Sequence, residues 1–192
     1  MKYKNEWEEL EKKLAKELTE NRYRHTLGVA YTATALAMRY GINVDDARRA
    51  GLLHDCAKCM SNADMLKLAG QEGITITDFE VKHPALLHAK VGVSIARKKY
   101  DVKDIAILEA IRWHTTGKPD MTMLEKIIFT ADYIEPNRNK APNLEEIRKL
   151  AFEDMDRCVC KILSDTIEYL SANPKSMDRT TLKAYEYYKE RA

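Results

Sequence analysis

Five histidines, one histidine–aspartate dipeptide and one aspartate in an apolar stretch are the residues here best suited to metal chemistry. His25, His54, His83, His88 and His114 lie between positions 25 and 114, near expected helix ends. Asp55 follows His54 directly, where the apolar run Gly51-Leu52-Leu53 gives out. Neighbouring helical side chains diverge by about 100°, yet at a terminal turn both can swing onto one ion. Imidazole nitrogen and carboxylate oxygen form a mixed donor set suited to divalent metals. The dipeptide alone is a weak signal; Asp132 strengthens it. It follows Ile127, Ile128, Phe129 and Ala131 on a core-facing stripe. An isolated buried charge costs many kcal/mol, so Asp132 either pairs with Arg138, caps a helix or shares a metal with the histidines. With His25, His54 and Asp55 available, metal ligation is the stronger reading.

A metal so held polarises a phosphoryl oxygen and makes hydroxide available near neutral pH. A polyphosphate then needs positive neighbours, and Lys58 and Arg138 follow Asp55 and Asp132 closely enough to supply them. Thr115 and Thr116 add hydroxyl donors in a loop that contains Gly117. The ordinary alternatives are a solvated lysine and a surface arginine. Cys56 and Cys59 form a C-x-x-C pair, which raises zinc or redox chemistry. The other cysteines, Cys158 and Cys160, are two apart and point to different helix faces. Without a second C-x-x-C, buried apolar thiols are the better reading. No G-x-x-x-x-G-K-[ST] phosphate loop and no G-x-S-x-G elbow is present.

Helical periodicity carries these residues. Trp7, Leu10, Leu14 and Leu18 mark a helix over 2–19. The next, 24–40, carries Leu27, Ala30, Tyr31, Thr34, Ala37 and Met38 on one stripe and stops at Gly41. Asn43 caps a third, running to about residue 58. Ser61 and Asn62 start a short one, and 73–77 is a loop. Pro84, Asp104 and residue 121 open three more, the last reaching 134. Asn143 opens one long helix toward 171, and a last helix spans about 179–190. The expectation is an all-α domain of nine or ten helices.

The set His25, His54-Asp55 and Asp132 resembles the signature of the HD-domain metal-dependent phosphohydrolases. The segments Arg24-His25-Thr26-Leu27-Gly28, Gly51-Leu52-Leu53-His54-Asp55 with Lys58, and Ala131-Asp132-Tyr133-Ile134-Glu135-Pro136 with Arg138 resemble its YqeK-like branch. That branch comprises the symmetrical bis(5′-nucleosyl)-tetraphosphatases, which cut diadenosine tetraphosphate into two ADP. The resemblance spans about 18–185. It implies a single HD-domain helical bundle over 1–192, with a core of about 18–140 and helices of 143–190 packed on it. It further implies a divalent metal, foremost iron with manganese, cobalt or nickel as substitutes, held by His25, His54, Asp55 and Asp132. Asp55 and Lys58 would serve catalysis. His88 and His114 would complete a second metal site or bind phosphate beside Lys58, Thr115 and Arg138. His83 is either a helix-end residue or a site member. Residues 176–182 would close over the nucleoside. The cysteines depart from the aliphatic residues commoner at 56 and 59. Other phosphate esters as substrate, or a non-catalytic nucleotide-binding module, are the alternatives; the G-Y-P motif of cyclic-di-GMP phosphodiesterases is missing.

Composition agrees with a globular protein. Of 192 residues, 45% are hydrophobic and 32% charged, ordinary values for a packed domain. A net charge of +2 gives no electrostatic invitation to nucleic acid. No apolar run reaches the roughly 18 residues of a membrane span, and the charged N-terminus has no signal-peptide core. The expectation is a cytoplasmic protein whose partner is a nucleotide, with ADP or GDP as product and a homodimer admitted.

Overall fold

The computed structural model describes residues 2–171 and 177–192. Among them are eleven α-helices and one 3₁₀ turn, with no strand. In chain order these are α1 Lys2–Glu17, α2 Glu20–Tyr40, α3 Val44–Leu53, α4 Asn62–Gln71, α5 Asp78–Lys82 and α6 Leu87–Lys99. The rest are α7 Ile105–Trp113, α8 Met123–Ile134, α9 Leu144–Glu153, α10 Met155–Ser171 and α11 Arg179–Lys189. No described helix is long and apolar enough to cross a membrane.

Local chemistry sets the boundaries. The Thr19 hydroxyl accepts from the Arg22 amide, so α2 starts four residues earlier than its apolar stripe suggests. It ends at Gly41, in the left-handed region at φ 67°. Asn43 caps α3 by accepting from the Asp45 and Asp46 amides, as expected. That helix stops at Leu53, short of 58. Residues 54–60 continue as tight turns, with Cys56 bonded back to Leu53 and Lys58 back to Asp55. The expected long helix from Asn143 is two helices. Asp154 is extended, and its carboxylate accepts from the Asp156 and Arg157 amides, capping α10. The five-residue helix α5 shows no periodic signal and rests on a Thr77–Glu80 capping box.

The centre is a layer of α2, α3, α7 and α8. Helix α2 packs on α3 and α8, α7 joins α3, α6 and α8, and α10 packs on α8, α9 and α11. The buried face of α2 runs through Thr26, Val29, Ala30, Ala33, Leu36 and Ala37. Tyr31 and Met38, expected inside, are 57% and 66% exposed. Packing against both α3 and α8 turns the helix so that His25 points inward. Gly51 is where α3 presses on α2: a Cβ there would lie 2.8 Å from Ala30 Cα. That close approach sets the distance between His54 and His25.

Candidate metal centre

Five helices present one end each to the same place. His25 comes from the second turn of α2, and His54 with Asp55 from the turn that ends α3. His88 opens α6, His114 follows α7, and Asp132 lies in the last turn of α8. All four histidines and Asp55 are buried. Their ligand atoms form three overlapping triads: His25–His54–Asp55, His54–His114–Asp132 and Asp55–His88–His114. Within each triad all atoms lie within 4.8 Å of one another.

Hydrogen bonding fixes how each ring presents itself. His54 Nδ1 lies 2.7 Å from the Gly51 carbonyl, His88 Nδ1 2.5 Å from that of Ala85, and His114 Nδ1 2.7 Å from that of Ile111. His25 Nδ1 is 3.1 Å from Glu135 Oε1. Carbonyls and carboxylates only accept, so every Nδ1 donates and a neutral ring leaves its Nε2 lone pair free. Those Nε2 atoms face one another, at 3.3 Å between His25 and His54 and 3.1 Å between His88 and His114. Lone pairs so opposed repel unless a cation lies between or beside them.

Asp55 bridges the two pairs. Its Oδ2 is 3.4 Å from His54 Nε2 and 3.8 Å from His25 Nε2. Its Oδ1 is 3.2 Å from His88 Nε2 and 3.6 Å from His114 Nε2, yet makes no hydrogen bond. A buried carboxylate oxygen without a hydrogen bond leaves a place for an ion or a water. Asp132 Oδ1 closes the first group, 3.0 Å from His25 Nε2. These residues fit a divalent cation, and the cluster is able to hold one.

The electrostatics agree with that donor set. Burial would raise Asp55, but His54 and His114 beside it hold the carboxyl well below its ordinary range. Asp132 is likewise lowered against its burial by His25, His54 and His114. Burial, with His114 and Lys58 alongside, pushes His88 down to about 3 and keeps its ring neutral.

The other expected residues divide. Lys58 Nζ stands 3.3 Å from the His88 ring nitrogens, its ammonium disfavoured by burial. It sits in the turn after α3 rather than one helical turn past Asp55. Thr115 Oγ1 reaches His88 and His114 Nε2 at 3.2 and 3.1 Å. Arg138 Nη2 donates to Asp132 Oδ1 at 2.8 Å, so the ion pair weighed as Asp132's ordinary partner is present too. Thr116 turns its hydroxyl to the Gly117 carbonyl. His83 stands apart from the cluster and stacks on Phe79, ring centres 4.5 Å apart. No cysteine joins a metal-type cluster among the described residues. Burial raises the Cys56 thiol to about 12, and Cys59 is exposed. Ser176 lies outside the described residues.

Three residues escaped the sequence reading. Arg22 Nη1 donates to Asp55 Oδ2 at 2.6 Å. Glu135 is buried between His25 and Asn137, whose backbone and side-chain amides donate to Oε2. A Cβ on Gly28 would lie 2.3 Å from that oxygen, so only glycine leaves Glu135 its place. Arg148, on α9, donates to the carbonyls of Ile134, Glu135 and Arg138 and pins the segment carrying Arg138. Glu135 did leave a signal, since a carboxylate at a helix C-terminus opposes the helix dipole.

The family model described as HD domain matches residues 22–137, which include every residue of the cluster. The chain is 38% identical to the symmetrical bis(5′-nucleosyl)-tetraphosphatase of Bacillus subtilis, over 89% of this chain and 91% of that protein. It is 40% identical to the enzyme of the same name from Halalkalibacterium halodurans, over 88% and 89%. A crystal structure from Clostridium acetobutylicum, described as a predicted HD superfamily hydrolase involved in NAD metabolism, superposes with a TM-score of 0.92. It is 36% identical, with 97% of this chain and 98% of that one covered. A helical cluster of histidines and aspartates, a matching family model and full-length relatives agree: this chain belongs to the HD-domain family, alongside the symmetrical bis(5′-nucleosyl)-tetraphosphatases.

Proposed function

We propose that the protein is a metal-dependent hydrolase that splits diadenosine tetraphosphate, with water, into two ADP. The observation that carries the reading is the bridging carboxylate of Asp55, each oxygen facing its own pair of imidazole Nε2 atoms. The names of the full-length relatives supply the substrate. In this reading His25, His54, Asp55 and Asp132 hold one divalent cation. Asp55, His88 and His114 would hold a second, or His88 and His114 would bind phosphate. A cation there supplies Lewis acidity toward phosphoryl oxygen and water. Iron is the metal we assign, with manganese, cobalt and nickel compatible with the same nitrogen and oxygen donors.

The chain's own groups handle the substrate. Lys58 brings a positive charge to the His88 side of the cluster, and Arg138 brings one to the Asp132 side. The Thr115 hydroxyl lies between His88 and His114, within reach of a phosphoryl oxygen. Cavities of about 130 and 460 Å³ flank the cluster, the first lined by His114 and Asp132 and the second by His25, with Arg138 lining both, and in this reading they receive the polyphosphate chain. The helices beyond 143 belong to the same unit in this reading, because α10 packs on α8 and α11 on α10. We place the enzyme in the cytoplasm, acting on nucleotides and not on nucleic acid.

The test is metal analysis of anaerobically purified protein with chromatography of the products from diadenosine tetraphosphate. ADP as sole product is expected. ATP plus AMP would overturn the symmetrical cleavage and leave the metal centre standing. Cleavage of another phosphate ester alone would replace the substrate.

A further inference from the structure

Two carboxylates of the cluster each hold an arginine. Arg22 Nη1 is 2.6 Å from Asp55 Oδ2, and Arg138 Nη2 is 2.8 Å from Asp132 Oδ1. These are the same oxygens that face His25 and His54. A divalent cation among those four groups would therefore meet two guanidiniums already in place. Like charges on one carboxylate oxygen repel, and the mobile partner must give way.

Arg22 is built to do so. It sits on the first turn of α2, and Asp55 is its sole side-chain hydrogen-bond partner among the described residues, whereas Arg138, though more exposed, also donates from Nε to the Asp132 carbonyl. A guanidinium carries five donors in a planar fork that suits phosphate. The cavity of about 460 Å³ that Arg22 lines also presents Arg24, Arg138, Asn21 and Asn137, and it reaches the cluster at His25. Its one carboxylate, Glu135, is buried and taken by His25 and Asn137. The concavity is thus cationic and donor-rich.

We propose that Arg22 exchanges partners: it neutralises Asp55 in the metal-free chain and turns to a phosphoryl oxygen of the substrate once a cation occupies the cluster. The proposal rests on the phosphohydrolase reading of the site and adds Arg22 to its substrate-binding residues. It makes metal loading and phosphate binding cooperative, since the ion frees the arginine that the phosphate needs.

Two titrations test it, both on Arg22→Gln against the unaltered chain, with circular dichroism to check the fold. Manganese(II) added to chelator-treated protein should bind the variant several-fold more tightly, because its competitor for Asp55 is gone. Pyrophosphate added to manganese-loaded protein should bind the variant about ten- to a hundredfold more weakly, as expected for a lost charged hydrogen bond. Arg22→Lys should fall between the two on both counts. Manganese affinity that is unchanged or weaker would reduce Arg22 to a prop for Asp55 and overturn the exchange. So would unweakened pyrophosphate binding. If Arg22→Gln does not fold, Arg22→Lys takes the same titrations, and values equal to the unaltered chain's overturn the proposal. Neither titration measures turnover, so inactivity toward diadenosine tetraphosphate would sink the functional reading separately.

Discussion

In the proposed metal centre a ligand histidine is only as good as the partner of its other nitrogen, and His25 depends on Glu135 for it. The hydrogen bond from Nδ1 to Glu135 Oε1 orients the ring and raises the basicity of Nε2. Glu135→Gln keeps the shape and removes the charge. Metal affinity should fall about ten- to a hundredfold, the usual effect of losing such a partner. Manganese titration checks it, and an unchanged affinity would remove Glu135 from the metal centre. His54, His88 and His114 use backbone carbonyls three residues back instead. Substitution cannot delete those acceptors, so their orientation follows from the helix ends themselves.

At the scale of the element, the cluster is a meeting of helix ends. Its spacing depends on how closely α2 and α3 approach. Gly51 permits that approach, since a side chain there strikes the Ala30 backbone at 2.8 Å, and backbone cannot swing aside. Gly51→Val should destabilise the fold by about 1–3 kcal/mol, the usual cost of overpacking. In a chain of this size that lowers the melting temperature by roughly 2–4 °C per kcal/mol. It should also weaken metal binding, because His54 moves with α3. Thermal unfolding and a manganese titration read both effects. A variant with unchanged melting and affinity would show that the approach has slack.

For the whole molecule, the buried cluster implies acid lability in the metal-free state. Burial, His114 and Lys58 depress His88 to about 3, against an unfolded value of about 6.5. Between those values the unfolded chain binds a proton that the native chain does not, so stability rises with pH. This contribution is full above about pH 6.5 and is lost as the pH falls toward 3. The depressed Asp55 adds a loss of the same sign below the ordinary carboxylate range. Chelator-treated protein should lose about 2 kcal/mol from His88 between about pH 7 and pH 5. His88→Asn should flatten that slope. A denaturation midpoint that does not move with pH over this span would show that His88 is not held neutral.

The residues that the fold gathers into one cluster were legible in the linear sequence as candidates. His25, His54-Asp55 and Asp132 stood out because ionisable groups in apolar helical stretches need partners, and local periodicity expresses that need. Caps were legible where one side chain meets the next few amides, as at Asn43, Ser61 and Asp104. Periodicity did not locate the break at Asp154, whose side chain competes with the helix for backbone amides. Nor did it give the inward face of α2, which two packed neighbours rotate. The partners of Arg22, Glu135 and Arg148 became visible only in three dimensions. They are 33 residues away for Arg22 and 110 for Glu135, and for Arg148 they lie 10 to 14 residues back, on the stretch that joins α8 to its own helix. Local sequence sets where a helix begins and which residues it carries. Only packing decides which helix ends meet, and so which lone pairs face one another.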